Sequence, residues 1–213
     1  RVLDLCAAGS FQVQLFGTHG TAPNLQEGRA GWSAATYLTN AVYTGDMKAN
    51  PFYNPAAGTF DFSYYMAQQG YSGLDYVVIG LGINDMFSYF SDADAQAGAT
   101  AALAAYDAMV NSVRAYNSGI KIGLLVTIPP TASLDAWGAS YGCGQWQWRY
   151  KRNNSLWAER MLAHYASVPG VYLIPTNVGI DCVNNIDTGV HPAVAGYNQM
   201  GEAVYYFLKG QEA

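Results

Sequence analysis

The sequence is poor in charge. Charged residues make up 12% of the 213 positions, about half the usual share, and hydrophobic residues make up 51%. That balance excludes a disordered chain and a coiled coil. No run of Lys or Arg occurs and the formal net charge is −5. The basic stripe of a nucleic-acid footprint is therefore missing, and no nucleic-acid partner is expected. No apolar segment approaches the roughly 18–20 residues of a membrane span. The three cysteines, Cys6, Cys143 and Cys182, form no C-x-x-C and no metal-ligand spacing. Cys143 and Cys182 both lie in Gly/Asn-rich loops, where a disulfide and two unrelated thiols are both open readings. There is no repeat, low-complexity tract or linker, and the sequence given starts at Arg1 and not at a methionine.

What is plentiful is Tyr (17) and Gly (23), a composition of long, ordered, aromatic-rich loops. The length favours one domain over residues 1–213 with a sizeable core. The first residues, RVLDLCAAG, read as the last turns of an amphipathic helix stopped by Gly9. Phe11–Phe16 alternates apolar and polar residues and reads as a strand. A loop leads to a helix near Trp32–Thr39, and residues 41–60 read as a long surface excursion. A short helix near Asp61–Gln69 precedes a strand at Tyr76–Leu81. In the next segment, Leu103, Tyr106, Val110 and Val113 share one face of a helix over Ala93–Tyr116. A strand at Lys121–Ile128 is stopped by Pro129-Pro130. After a loop come a helix over Trp146–Ala166, a strand at Val171–Ile174 and a polar loop to Pro192. A final helix places Tyr197, Met200, Val204 and Phe207 at the same spacing.

Strands alternating with helices imply a parallel sheet. The order begins with a helix whose preceding strand is absent, and in doubly wound sheets the first strand is usually central. Losing it exposes two edges. The expectation is that a strand and its loop belong before Arg1, carried upstream or on another chain.

Three segments follow different strands at one edge of that sheet. In Glu27-Gly-Arg-Ala-Gly-Trp-Ser33, a glycine just ahead of a helix can present its N–H to an anion; the plainer alternative is a turn with Ser33 as N-cap. In Gly80-Leu-Gly-Ile-Asn-Asp85, the Asn84 amide can donate to a developing oxyanion, while Asp85 holds the loop through backbone hydrogen bonds; the alternative is a capped strand end. In Asp187-Thr-Gly-Val-His-Pro192, a His held ahead of a helix behind a carboxylate can serve as an oriented base; the alternative is a surface His in a turn. Together they set an N–H donor, an amide donor and a base around one edge, as acyl transfer requires.

These blocks resemble those of the SGNH (GDSL-like) hydrolase family. EGRAGWS resembles its second block, GLGIND its third and DTGVHPAVAGYNQMGEAVYYFL its last, in the family's order. The resemblance implies a flavodoxin-like three-layer α/β/α sandwich with a parallel sheet, and hydrolysis of an acyl or acetyl ester, often on a carbohydrate. It implies that Gly31 and Asn84 donate to the oxyanion and that His191 moves the proton, with neither a metal nor an organic cofactor expected. The family's acid falls three residues before the His, which here is Thr188, so Asp187, one residue further back, is expected to orient His191. The family's Gly-Asp-Ser block has no counterpart. Gly9-Ser10 sits at the wrong edge and Ser33 is taken by its cap, so the nucleophile is expected on an N-terminal segment or a second chain.

Of the remaining candidates, His19 follows a strand on the active edge and can line the site, whereas His164 ends a helix and faces water or caps it. Trp137, Tyr141, Trp146 and Trp148 crowd a loop that should overhang the site. Trp137 and Trp146 are the candidates for stacking on a sugar, the alternative being a self-packed aromatic loop. The expected partner is a small-molecule or glycan ester, and an extracellular or virion-borne protein fits the low charge. An inactive glycan- or protein-binding module is the rival reading. A nucleotide binder is disfavoured because no glycine loop after any strand cradles a phosphate.

Overall fold

The computed structural model describes residues 1–142, 144 and 146–212. Its centre is a parallel sheet of three strands, Tyr76–Ile79, Lys121–Leu125 and Val171–Ile174, in that spatial order. The register sets Tyr76 against Lys121 and Ile79 against Leu124, then Ile122 against Val171 and Leu125 against Ile174. Ile122, Gly123 and Leu124 are buried in succession, the mark of a strand covered on both faces. Ile122 and Leu124 join the core formed by Tyr106, Val110, Trp157 and Met161 of the long helices Asp92–Tyr116 and Gln147–Tyr165. Gly123 faces the other way, towards the terminal helix Val194–Gln211. A Cβ there would lie 2.9 Å from Phe207 Cε1 and 2.7 Å from Ile174 Cδ1, so only glycine lets that helix approach. The helix Val2–Ala8 packs beside it through Cys6, Tyr205 and Leu208. Helices thus cover both faces of the sheet, in three layers.

Several elements follow local chemistry closely. Asp61 caps the Phe62–Gln69 helix by accepting the Tyr64 N–H at 3.0 Å. Ser91 caps Asp92–Tyr116, which carries Asp92 and Asp94 in its first turn and Arg114 in its last, in line with the helix dipole. No helix among the described residues is long and apolar enough to cross a membrane.

Four expectations need correction. Phe11–Phe16 keeps its alternating burial, yet it forms no strand; it pairs with no strand among the described residues, and a ladder needs a paired neighbour. Residues 41–60 are not a surface excursion. They fold into two short hairpins, Val42–Tyr43 with Lys48–Ala49 and Tyr53–Asn54 with Thr59–Phe60, and plant Asn50, Phe52 and Phe60 in the core. The loop after Pro130 contains a helix, Leu134–Tyr141, capped by Ser133. The strand expected to run to Ile128 ends its ladder at Leu125, although Val126, Thr127 and Ile128 stay buried. The pairing of Cys143 with Cys182 lies outside the described residues.

Candidate active site

The C-terminal ends of the three strands open into a cleft of about 570 Å³. Its lining includes Gly31, Trp32, Gly82, Asn84, Thr127 and His191. The three segments read from the sequence as one edge do meet there.

Asp85 joins two of them. Its carboxylate accepts the Ala34 N–H at 2.9 and 3.1 Å and the Gly82 N–H at 3.1 Å. Burial pushes this carboxyl up from its ordinary range, against the pull of the Ala34 and Gly82 N–H groups. Asn84, on the helical turn Ile83–Met86, adds a second tie by donating from Nδ2 to the Trp32 carbonyl at 3.1 Å. That bond uses one of the two amide protons and fixes the plane of the amide; the other proton remains available to the cleft.

Backbone conformation fixes the glycines. Gly31 has φ +79°, with no atom within 4 Å of where a Cβ would stand, so its left-handed backbone and not crowding selects glycine. Its N–H finds no acceptor among the described residues. Gly82 has φ +111°, and a Cβ would fall 2.3 Å from Trp157 Nε1 and 2.7 Å from Thr127 Oγ1. There both constraints apply.

His191 stands on the second arm of a hairpin formed by Ile186–Thr188 and His191–Pro192, with a bulge between the paired positions. It is exposed on the cleft wall. The expected orienting group is not the one observed. Thr188 Oγ1 lies 2.9 Å from His191 Nδ1, whereas Asp187 is exposed and forms neither a hydrogen bond nor an ion pair with His191. The reason is register: Thr188 is the cross-strand partner of His191, and Asp187, one residue earlier, points elsewhere.

The other sequence candidates divide. Ser33 caps the turn Ala34–Tyr37 by accepting the Thr36 N–H at 3.2 Å, and Ser10 is exposed beyond the first helix. No serine among the described residues lines the cleft. Its threonine hydroxyls are also committed, Thr127 to the Leu81 carbonyl at 3.2 Å and Thr176 to the Val126 carbonyl. His19 pairs with Asp46 at 3.3 Å and meets the Tyr43 ring edge-on, outside the cleft lining. His164 bonds Asp107 at 2.9 and 3.0 Å and joins two helices. Trp137 is buried among Phe87, Tyr141 and Tyr150, so its faces are already covered and it cannot stack on a sugar. Trp146 is 53% exposed and Trp148 57%. Sequence reasoning missed the lining residues Phe87, Tyr197 and Met200; only Tyr197 and Met200 carried a signal, their place at the start of the last helical face.

A second groove, about 270 Å³, runs along the open side of the Tyr76–Ile79 strand. It is lined by Val77–Leu81 with Phe52, Phe60, Phe62, Met109 and Val113. Val78 is 40% exposed there.

A model of the GDSL-like lipase/acylhydrolase family matches residues 9–199. Among solved structures, a carbohydrate esterase family 3 protein from Talaromyces cellulolyticus is 18% identical, with 99% of this chain and 88% of that one covered at a TM-score of 0.56. A family 3 carbohydrate esterase from Clostridium thermocellum is 13% identical, with 96% and 81% covered at a TM-score of 0.59. A structure from Streptococcus pneumonia is 18% identical and overlaps 63% of this chain and 59% of its own length, at a TM-score of 0.47. No curated protein sequence matches the chain. At these identities, the first two likenesses are of fold.

Proposed function

The chain belongs to the GDSL-like lipase/acylhydrolase family, and from that premise we propose that it is the scaffold of a serine esterase removing an acyl group, acetyl by preference, from a carbohydrate. The observation that carries this reading is the convergence of Gly31, Asn84 and His191 on one cleft, with Asp85 holding the first two loops together.

The chemistry follows from the positions. A serine hydroxyl attacks the ester carbonyl while His191 Nε2 takes its proton. Negative charge gathers on the carbonyl oxygen, and the Gly31 N–H and the Asn84 amide donate to it. Donors fixed before the reaction lower the barrier because they need not reorganise. The tetrahedral adduct collapses, His191 returns the proton to the departing sugar alkoxide, and the acyl group stays on the serine. Water then repeats the sequence and releases the acid.

The serine comes from a segment outside residues 1–213, docked as a parallel strand along Tyr76–Ile79. Support comes from the apolar groove on that edge, the unusual exposure of Val78 within a strand, and the unpaired Phe11–Phe16 segment. A strand in the groove ends beside Gly80 and Leu81, which line both the groove and the cleft. The carbohydrate preference rests on the exposed indoles of Trp146 and Trp148, which lie outside the cleft lining with ring centroids 5.7 Å apart, and on the family 3 carbohydrate esterase titles of the two similar folds.

The absence of a serine from the cleft lining favours one rival, a glycan-binding module without activity. Release of acetate from acetylated xylan or from p-nitrophenyl acetate by protein that includes the docked segment separates the two. Hydrolysis lost on His191→Ala supports the esterase. Tight glycan binding without hydrolysis by the complete protein supports the module.

A further inference from the structure

We infer that Thr188, and not a carboxylate, is the residue that positions His191, by accepting the His191 Nδ1–H on Oγ1 and so leaving Nε2 unprotonated towards the cleft. The inference deepens the esterase reading, but its direct test does not depend on it. The observation is the 2.9 Å contact between Thr188 Oγ1 and His191 Nδ1, in a hairpin that leaves little freedom.

That hairpin is pinned at three points. The Gly189 carbonyl accepts the Thr131 N–H at 2.8 Å, and the Asn185 carbonyl accepts the Ala193 N–H at 2.9 Å. Gly189 has φ +49°, and a Cβ on it would sit 2.0 Å from Tyr141 Cε2. The Tyr141 ring therefore presses on the turn directly between Thr188 and His191. Ile186 and Val190 are buried on either side. The β-branched Thr188 has few χ1 rotamers open to it, and the one it adopts sets its hydroxyl on the ring nitrogen although both residues are exposed.

The direction of the bond follows from the required chemistry. Which imidazole nitrogen carries the proton is set by the hydrogen bond that the other makes. A base acting through Nε2 needs its proton on Nδ1, so the hydroxyl must accept. Thr188 then holds the ring plane and accepts from Nδ1; a triad carboxylate can only accept, whereas this hydroxyl can also donate, and it lacks the carboxylate's stabilisation of the imidazolium. His191 is then oriented for its task, with weaker electrostatic support than a carboxylate would give.

The test is nitrogen-15 NMR of histidine-labelled protein at a pH where His191 is neutral, with the resonance assigned by a His191→Asn variant. The expected result is a protonated Nδ1 and a bare Nε2 on His191. Thr188→Val should move the proton to Nε2, whereas Thr188→Ser and Thr188→Asp should keep it on Nδ1, and Asp187→Asn should change nothing. The serine variant guards against reading a folding defect as a loss of function. A proton on Nε2 in the parent protein overturns the inference, as does an unchanged tautomer in Thr188→Val or a changed one in Asp187→Asn.

Kinetics of the complete enzyme should agree. Thr188→Val should lower kcat at least about tenfold at constant KM, short of the ~10⁴-fold loss when a triad carboxylate is disabled. Thr188→Ser should restore the rate and Asp187→Asn should leave it within about twofold. Hydrolysis lost in Asp187→Asn but intact in Thr188→Val overturns the assignment. No hydrolysis by any version overturns the esterase reading instead, and the tautomer result still decides the role of Thr188.

Discussion

Asp85 accepts the backbone N–H of Ala34 through both carboxylate oxygens, at 2.9 and 3.1 Å, across 51 positions of sequence. The same carboxylate holds the Gly82 N–H at 3.1 Å, so one side chain sets the distance between the loops that bear Gly31 and Asn84. Asp85→Ala strands two buried donors, at a cost of about 1–3 kcal/mol each. Urea denaturation of the variant should show that loss, and hydrolysis should fall with it because the two oxyanion donors drift apart.

Asn84→Ala removes an oxyanion donor together with the tie to the Trp32 carbonyl. Removing one preorganised oxyanion donor costs on the order of 2.7–4 kcal/mol in the barrier. The loss should fall on kcat with KM little changed, because the oxyanion forms only as the reaction proceeds. A variant that turns over as fast as the parent removes Asn84 from the site.

Trp137 and Trp146 should part company. Trp137 is buried against Phe87, Tyr141 and Tyr150, so Trp137→Ala should destabilise by about 3–5 kcal/mol. Trp146→Ala, at a half-exposed position, should stay within about 0.5 kcal/mol of the parent. The same change should raise KM for a polymeric acetylated glycan and not for p-nitrophenyl acetate. Thermal unfolding and paired kinetics check both.

Asp61 supplies a pH signature. Its carboxyl lies below the ordinary range because Asn54 donates to it at 2.8 Å and the capped Tyr64 N–H at 3.0 Å. A lowered folded value means that the stabilisation is present above the unfolded carboxylate value and fades as pH falls through the folded one. Asp61→Ala should cost about 0.5–2 kcal/mol near neutrality, and the gap to the parent should close in acid. Denaturation midpoints measured from pH 7 down to pH 2 check the sign.

Local patterns were readable where they depend on near neighbours. The amphipathic face of Asp92–Tyr116, the Ser33 cap and the bond from the Gly82 N–H to Asp85 all follow from residue types a few positions apart. Phe11–Phe16 shows the boundary of such reading, because its alternation survives while its ladder depends on a neighbour that no local pattern supplies. Asp187 and Thr188 show it again. Charge favours Asp187 as the group beside His191, but the bulge in the hairpin makes Thr188 the partner, and pairing register is a tertiary fact. Trp137 and Trp146 are chemically the same residue in one aromatic stretch, and only packing distinguishes the core indole from the exposed one. The hairpins at 41–60 were hidden because Asn, Gly and Pro signal turns while saying nothing of whether Phe52 and Phe60 fold inward.

The central claim is that Gly31, Asn84 and His191 serve a serine supplied from outside residues 1–213. Fluorophosphonate labelling read by peptide mass mapping tests it most directly, on the 213-residue chain alone and on the protein from its native cells. The account predicts no labelled residue within this chain, and in the native protein one labelled serine outside it whose labelling is lost with His191→Ala. Labelling at Ser10, Ser33 or any other residue of this chain would contradict the account, and so would a native protein that takes no label.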